Sequence, residues 1–469
     1  MARMLRPWGI VIACGTVLVG CIADVDILQG DDAEGDDTLV VLAAKGHKNG
    51  TGFGDTFASS GSIDTSNAFF GSLGTNGRTC VSCHQQAEGW SITPAGVTKR
   101  FNDTQGNDPI FRLNDGAVSP NADVSTLAAR KNAYKLLLSK GLVRVGLPIP
   151  ANAEFTLDAV DDPYGFASAA EVSVFRRPLP TTNLPFLATV MWDGRETASA
   201  SDMNSNFRTQ AASATLGHAQ ATGTDPAQMA SIVTFEIALF SAQTLDNGAG
   251  DLDKHGAKGG PAHLANQAFQ IGINDPLPLQ NGGFNSGFDP NAMTLFNAWA
   301  PPATPAGDNA SRRRYAVFRG QQIFNTKLIK ITGVNGINDA LGIPTVNGTC
   351  TTCHNTPNVG NHSTTLPINI GIGDASRRTA DMPLYTLKHK TTGATIRTTD
   401  PGRALITGRW ADVQKFKGPI LRGLQMRPPF FHDGSAATLQ DVITFYNTRF
   451  SIGLTAQEQS DLLAFLQAL

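Results

Sequence analysis

The sequence carries little charge, and the two signs nearly cancel. Its 469 residues include 37 lysines and arginines against 39 aspartates and glutamates, and only 16% of all residues are charged. A protein that binds nucleic acid needs a basic excess to meet the phosphates. We therefore expect no nucleic-acid partner.

The amino terminus lacks an apolar run long enough to span a membrane. Its apolar stretch extends from Trp8 to Gly20, whereas a membrane-spanning helix needs about 20 residues. Arg3 and Arg6 precede this stretch and supply the positive start of an export signal. We predict a signal peptide over residues 1–21, and hence a protein of the periplasm or cell envelope.

The predicted signal ends in the sequence LVGC, which resembles the lipobox of bacterial lipoproteins. This predicts lipidation of Cys21 and membrane contact through the lipid anchor alone. An ordinary signal peptide with a chance cysteine, or a single anchor helix, is the alternative.

Residues 22–49 begin with an acidic stretch that has no aromatic residue, which predicts a flexible tether. A docking patch for a basic electron donor is the other interpretation.

Cysteine is rare as well. Two of the six cysteines, Cys14 and Cys21, lie in the predicted leader, so none is left over for a disulfide framework. The other four fall in two Cys-x-x-Cys-His motifs, in which two thiols attach a c-type haem and the histidine is the proximal iron ligand. A disulfide, a redox pair or a shared zinc site needs no histidine directly after the second cysteine. We therefore predict two covalent haem c groups, held by Cys80, Cys83, His84, Cys350, Cys353 and His354.

The two motifs lie 270 residues apart, which predicts two cytochrome c-like haem domains in tandem. The first covers residues 50–260, a linker follows at 261–310, and the second domain covers 311–469. Strand signals are weak while glycine (48) and proline (26) are plentiful, so we predict a mainly α fold with long irregular loops. Apolar spacing predicts helices near 124–138 and 227–242, and a last helix capped by Thr455 and Glu458.

Two further stretches carry a resemblance to a known family. One is TVMWDGR at 189–195, with Gln210 downstream. The other runs through DPGR at 400–403, FKGPILR at 416–422 and PFFHDGS at 429–435. With the haem motifs, these segments resemble the bacterial dihaem cytochrome c peroxidase superfamily, which includes MauG-like enzymes, over most of residues 65–469.

The resemblance implies a division of labour between the two haems. The N-terminal haem would be the peroxidatic centre, the C-terminal haem would transfer electrons, and Trp192 matches the tryptophan that relays electrons between them. A core tryptophan is the alternative for Trp192. The implied partners are hydrogen peroxide or a related oxidant and a donor protein such as a small cytochrome or cupredoxin. The family often holds a calcium ion as well, through ligands that leave little side-chain signature.

The resemblance also implies a sixth ligand for the C-terminal haem, a methionine or tyrosine after the HDG turn. Tyr446 stands at that position, and its spacing from Leu439, Val442 and Ile443 places it on the apolar side of a helix. A buried tyrosine without a ligand role is one alternative. Met426 is the rival ligand, because thioether ligation raises the potential of a c-type haem.

The sequence departs from the family at the N-terminal haem. No histidine occurs from Gln85 to Gly217, so the iron on His84 is open unless Met191, Met203 or His218 reaches it. The glutamate that the family places about ten residues beyond the position of Gln210 is also absent. We predict that His218 takes the role of this glutamate, because imidazole titrates near neutral pH. The alternative is that His218 is a surface or structural histidine.

These observations favour a peroxidase-like haem oxidoreductase in which peroxide reacts at the N-terminal haem. The principal alternative is a non-catalytic dihaem electron-transfer lipoprotein. A sensing or structural role for the haems is the third interpretation.

Overall fold

A computed structural model describes residues 46–277 and 287–469 of the chain. The predicted signal peptide, Cys21 and the tether up to residue 45 lie outside these residues. Within the described ranges, no helix combines the length and the apolar character needed to cross a bilayer.

The helices of the described part are mostly short. The α-helices are α1 Pro94–Thr104, α2 Leu127–Ala133, α3 Lys135–Lys140, α4 Met203–Gly217, α5 Pro226–Ile237, α6 Pro261–Ala265, α7 Asn309–Thr326, α8 Asn338–Leu341, α9 Cys350–Cys353, α10 Ala404–Thr407, α11 Leu439–Arg449 and α12 Ala456–Gln467. Local capping fixes several of them. Thr93 and Asp225 accept hydrogen bonds from the first turns of α1 and α5, each of which begins with proline.

Strands form four small sheets between the helices. They are β1 His47–Asn49, β2 Gly52–Ala58, β3 Val143–Leu147, β4 Phe155–Asp161, β5 Val172–Arg176, β6 Leu239–Asp246, β7 Gly250–Asp251, β8 Ile329–Thr332, β9 Thr345–Gly348, β10 Leu384–His389 and β11 Thr395–Thr398. The sheet orders are β1-β2-β6-β7, β11-β10-β4, β3-β5 and β8-β9, and every pairing is antiparallel.

The predicted fold class is wrong. Helical residues make up only 32% and strand residues 16%, so the described part of the chain is a mixture of helices and sheets. All five residues of β5 are buried, as are the first five of β6. Strands buried on both faces show no alternation of apolar and polar residues, which is why the sequence pattern missed them.

The predicted tandem of haem domains is wrong as well. The described residues cluster into one compact unit. β4 joins the sheet of β10 and β11, more than 220 residues further along the chain, and so links the two segments that were expected to fold apart. The boundaries at residues 49, 260 and 310 stay a prediction, although His47–Asn49 form β1 and the segment 261–310 contributes buried Phe296 and Trp299 to the core.

The predicted helices have mixed outcomes. The last helix is present as α12, with the predicted capping box of Thr455 and Glu458. The stretch 124–138 is divided between α2 and α3 at Tyr134. The helix predicted over 227–242 ends at Ile237, and the chain continues as β6.

The helices α7 and α12 pack against each other at very short range. A Cβ atom on Gly320 would lie 1.9 Å from the main-chain oxygen of Asp461, so only glycine allows this approach. Next to it, Arg319 donates two hydrogen bonds to the Asp461 carboxylate, at 2.7 and 2.8 Å. The contact holds α12 over the core cluster that contains Phe324, Phe465 and Leu462.

Candidate functional site

The first Cys-x-x-Cys-His motif forms a tight helical turn. Thr79 and Ser82 cap the 3-10 turn that begins at Cys80. Nδ1 of His84 is hydrogen-bonded to the main-chain oxygen of Trp90 at 2.9 Å. This bond orients the ring and leaves Nε2 for a metal. Burial lowers the pKa of His84 to about 4, so the imidazole is neutral, as a metal ligand must be.

The second motif repeats this arrangement. Thr349 and Thr352 cap the single turn Cys350–Cys353. Nδ1 of His354 is hydrogen-bonded to the main-chain oxygen of Gly360 at 2.5 Å. Burial lowers the pKa of His354 to about 4. The two histidines are therefore prepared in the same way, each with one ring nitrogen fixed by a carbonyl.

Each motif opens into its own cavity, and both cavities are lined mainly by apolar side chains. One is lined by Cys80, Cys83 and His84, the other by Cys350, Cys353 and His354. All four cysteines are free. An apolar cavity that begins at two free thiols and a neutral histidine fits a covalently attached haem at either motif.

Trp192 forms part of the wall between the two cavities, because it lines both of them. Its side chain is held in place on several sides. Nε1 donates a hydrogen bond to the main-chain oxygen of Arg177 at 2.8 Å, and the ring of His432 approaches edge-on at 6.3 Å between centroids. The Trp192 main-chain oxygen accepts a hydrogen bond from the amide of Lys417 at 2.9 Å.

A buried ion network fixes the same WDGR turn to the rest of the fold. Arg176 lies between two buried carboxylates, with Nη1 on Asp193 at 2.5 Å and Nε on Asp400 at 2.7 Å. Burial alone would raise the pKa of both aspartates, but the Arg176 guanidinium outweighs it and lowers the pKa. The network connects β5 with two of the segments that carry the family resemblance.

His218 lies in the cavity of His84, at the C-cap of α4, with 43% of its side chain exposed. Its Nδ1 lies 2.5 Å from Oδ2 of Asp115. Asp115 is buried and also pairs with Arg78. Burial would raise the pKa of Asp115, but its hydrogen bond and charge interaction with His218 and the Arg78 guanidinium lower it. Asp115 can therefore hold the imidazole in one orientation.

The structure brings only some of the other predicted residues into this cavity. Gln210 and Met191 line it, whereas Met203 does not and instead lies beside Asn206, whose amide is 3.4 Å from the sulfur. Met191 has φ +68°, a strained conformation for a residue with a side chain.

Glu236 is a carboxylic acid in the His84 cavity that the sequence did not single out. It lies on α5, is 5% exposed, and lines the cavity. No hydrogen bond or ion pair to its carboxyl group is present among the described residues. Burial raises the pKa of Glu236 to about 8, so the group carries a proton at neutral pH.

In the second cavity, the structure distinguishes the two predicted sixth ligands by position. Tyr446 lines the cavity, with its ring 6.4 Å from that of His354 between centroids. Burial raises the pKa of Tyr446 above its ordinary value. Met426 is not among the lining residues, and its sulfur lies against Gly54 on β2.

Replacing Tyr446 with phenylalanine is expected to change the ligation state of the haem iron predicted at His354. The change removes only the hydroxyl oxygen that would reach the metal, so the fold is retained. Absorption and electron paramagnetic resonance spectra of the oxidised protein provide the measurement. Met426→Leu is the control and should leave both spectra unchanged. If the spectra change in Met426→Leu and stay the same in Tyr446→Phe, the ligand is Met426.

Several residues of the site had no signal in the local sequence. Asp115 and Glu236 lie in segments with no recognisable motif, and only the fold brings them to His84. Lys417 lines both cavities and belongs to the FKGPILR segment that carries the resemblance, so its position in a motif was a usable signal.

The calcium prediction stays untested. Among residues 46–277 and 287–469, no group of three or more His, Cys, Asp and Glu side chains is arranged to hold a metal ion.

Comparison with known proteins supports the family resemblance over part of the chain. Cytochrome-c peroxidase IdrP2 of Denitromonas iodatirespirans is 34% identical over 146 residues, which cover 28% of this chain and 38% of that protein. Cytochrome c551 peroxidase of Nitrosomonas europaea is 31% identical over 121 residues, 26% of this chain and 30% of that protein. These matches support the predicted relationship to the cytochrome c peroxidases over about a quarter of the chain. The chain spans only about a third of the length of these relatives.

Two other comparisons add little. No protein-family model matches the chain. A crystal structure of a MauG-like protein associated with microbial copper homeostasis aligns over 85% of both chains, at 15% identity and a TM-score of 0.33.

Proposed function

We propose that this protein is a dihaem c-type peroxidase that acts outside the cytoplasmic membrane. Peroxide is reduced in the cavity of His84, and electrons enter through the cavity of His354. The relatives named as cytochrome-c peroxidases support this activity. The observation that carries the proposal is the position of Trp192, which lines both cavities.

When bound at His84, haem iron supplies the centre at which the O–O bond of peroxide is reduced. Reduction to water consumes two electrons and two protons for each peroxide. The two consumed protons come from solvent, and the chain itself supplies a group that moves a proton between the two peroxide oxygens. His218, oriented by Asp115 at 2.5 Å, takes a proton from one peroxide oxygen and returns it to the other. Gln210 donates a hydrogen bond that positions the peroxide beside His218.

The cavity of His354 is suited to electron transfer rather than to binding a substrate. Tyr446 faces His354 across this cavity and would supply the second protein ligand of a haem held there. Trp192 then relays electrons between the cavities, because an aromatic side chain in the gap shortens the distance over which an electron must transfer. A small cytochrome or cupredoxin is the proposed electron donor, and a lipid on Cys21 is the proposed anchor.

The resting oxidised protein tests the proposal directly. We expect two haems per chain, one high-spin and one low-spin, with rapid binding of cyanide or reaction with hydrogen peroxide at the high-spin haem. Steady consumption of peroxide with a reduced small cytochrome as donor completes the test. Two low-spin haems that do not react with peroxide would contradict the proposal and favour the non-catalytic electron carrier.

Replacing Trp192 with phenylalanine is expected to slow electron transfer between the two haems at least about tenfold, equal to about 1.4 kcal/mol of added barrier. The smaller ring and the lost hydrogen bond to Arg177 weaken the connection across the wall. Stopped-flow absorption after reduction of one haem measures the rate, and neither haem spectrum should change.

Trp299→Phe is the matched control for this measurement. Trp299 is also buried and donates a hydrogen bond through Nε1, to the main-chain oxygen of Lys254 at 3.2 Å, but it lines neither cavity. Equal rates of electron transfer between the haems in the Trp192 variant and in wild type would mean that Trp192 is only a core residue.

A further inference from the structure

The wall between the two cavities contains buried positive charge. Arg177 and Lys417 line both cavities, and Arg427 lines the cavity of His354. Lys417 is only 7% exposed. In the part of the chain that the structure describes, its ammonium group has neither a hydrogen-bond partner nor an ion-pair partner.

The two arginines add further positive charge without a compensating carboxylate, since both donate only to main-chain oxygens. Arg177 donates to the oxygens of Ile92 and Lys140 at 2.6 and 3.0 Å, and also to those of Arg427 and Pro428. Arg427 donates to the main-chain oxygens of Ile420 and Arg422 at 2.7 and 3.2 Å. Neither guanidinium has a carboxylate within ion-pair distance among the described residues.

The nearby acidic groups are already used elsewhere. Glu88 acts on Arg177 only from a distance and accepts a hydrogen bond from Thr93. Asp193 and Asp400 are held by Arg176. Burial, together with the charge of Arg427, lowers the pKa of Lys417 to about 7. A buried cation without a partner is costly, so the wall is arranged to receive anions.

We propose that Lys417 binds carboxylate groups of the prosthetic groups in both cavities, and that Arg427 assists on the His354 side alone. This inference rests on the proposed function, in which each cavity holds a haem c. Each haem c has a thioether edge, fixed by the two cysteines, and two propionate carboxylates elsewhere on the ring. A single ammonium group that lines both cavities thereby fixes the anionic edges of both haems.

The proposal predicts a redox effect that a purely structural lysine would not produce. A cation beside a haem favours the reduced iron, because reduction removes one positive charge from the centre. Lys417→Gln is therefore expected to lower the reduction equilibrium constant of both haems about tenfold, which is about 59 mV for a one-electron couple. Lys417→Arg should retain most of the wild-type potential at both haems.

The experiment uses the full haem-loaded protein and two measurements. Haem content per chain is measured first by the pyridine haemochrome assay, and both midpoint potentials are then measured by spectroelectrochemistry. Lys415→Gln is the matched control, since Lys415 is also buried but pairs with Asp339 and Asp412 and lines neither cavity. It should shift neither potential. Lys417→Met provides a second uncharged variant in case the glutamine variant does not fold.

The outcomes separate this inference from the proposed function. A wild-type chain with fewer than two haems would overturn the proposed function and the inference together. Two haems with potentials that do not shift in the uncharged Lys417 variants would overturn the inference alone. A shift at only one haem would also overturn it, because the ammonium would then serve a single cavity. Midpoint potentials that depend on added chloride or phosphate would indicate a free anion instead of a propionate.

Discussion

Replacing His84 with alanine is expected to lower the rate of the reaction with peroxide at least about a thousandfold. This equals about 4 kcal/mol of added activation free energy. The imidazole is neutral and held by the main-chain oxygen of Trp90 at 2.9 Å. Its loss would remove the proximal ligand from the cavity that contains His218 and Asp115. The second cavity has its own ligand in His354 and should keep its spectrum.

Peroxide consumption and the two haem spectra are measured together for this variant. His84→Gly with added imidazole is the companion experiment, because a free imidazole can occupy the space of the missing ring and should restore part of the activity. His354→Ala should behave differently and remove the low-spin signal. Loss of that signal in the His84 variant would reverse the roles of the two cavities.

Replacing His218 with glutamine is expected to slow the reaction of peroxide by about a hundredfold to a thousandfold, within the range of general acid–base catalysis. Glutamine can hydrogen-bond but cannot transfer a proton at this position. Asp115→Asn should produce a smaller loss, because the imidazole is kept while its orienting carboxylate, at 2.5 Å, is lost. Stopped-flow mixing with peroxide over a range of pH measures both effects.

The pH profile distinguishes a catalytic His218 from a structural one. A catalytic role predicts that the profile of the glutamine variant becomes flatter, whereas a structural role predicts lower stability with an unchanged profile. His263→Gln is the control, since His263 is exposed on α6 and lines neither cavity. A normal rate in the His218 variant with a slow rate in Glu236→Gln would assign the proton transfer to Glu236.

The sequence was most reliable where the chemistry is local. Both haem motifs are five consecutive residues, and the structure gives each of them the same capped turn with a histidine fixed by a carbonyl. The capping box of Thr455 and Glu458 is equally local and was predicted correctly. Such features depend on neighbours within about one turn of the chain, so the pattern alone contains them.

The sheets were missed because their partners are distant. β2 pairs with β6 and β4 pairs with β10, each across more than 180 residues. A strand has no internal hydrogen bonds, so nothing within its own residues fixes it without its partner. The apolar run that ends α5 and begins β6 suits a helix or a buried strand equally well, and its partner strand β2 decided between them.

The sequence by itself determined the two Cys-x-x-Cys-His turns and so predicted where haem is attached, because attachment requires only a thiol pair and an adjacent imidazole. Only the tertiary structure decided that the two cavities share a wall containing Trp192 and Lys417. It also decided that Asp115 would orient His218 from 103 residues away. Positions of this kind depend on packing between distant segments, where burial and charge act through space and not along the chain.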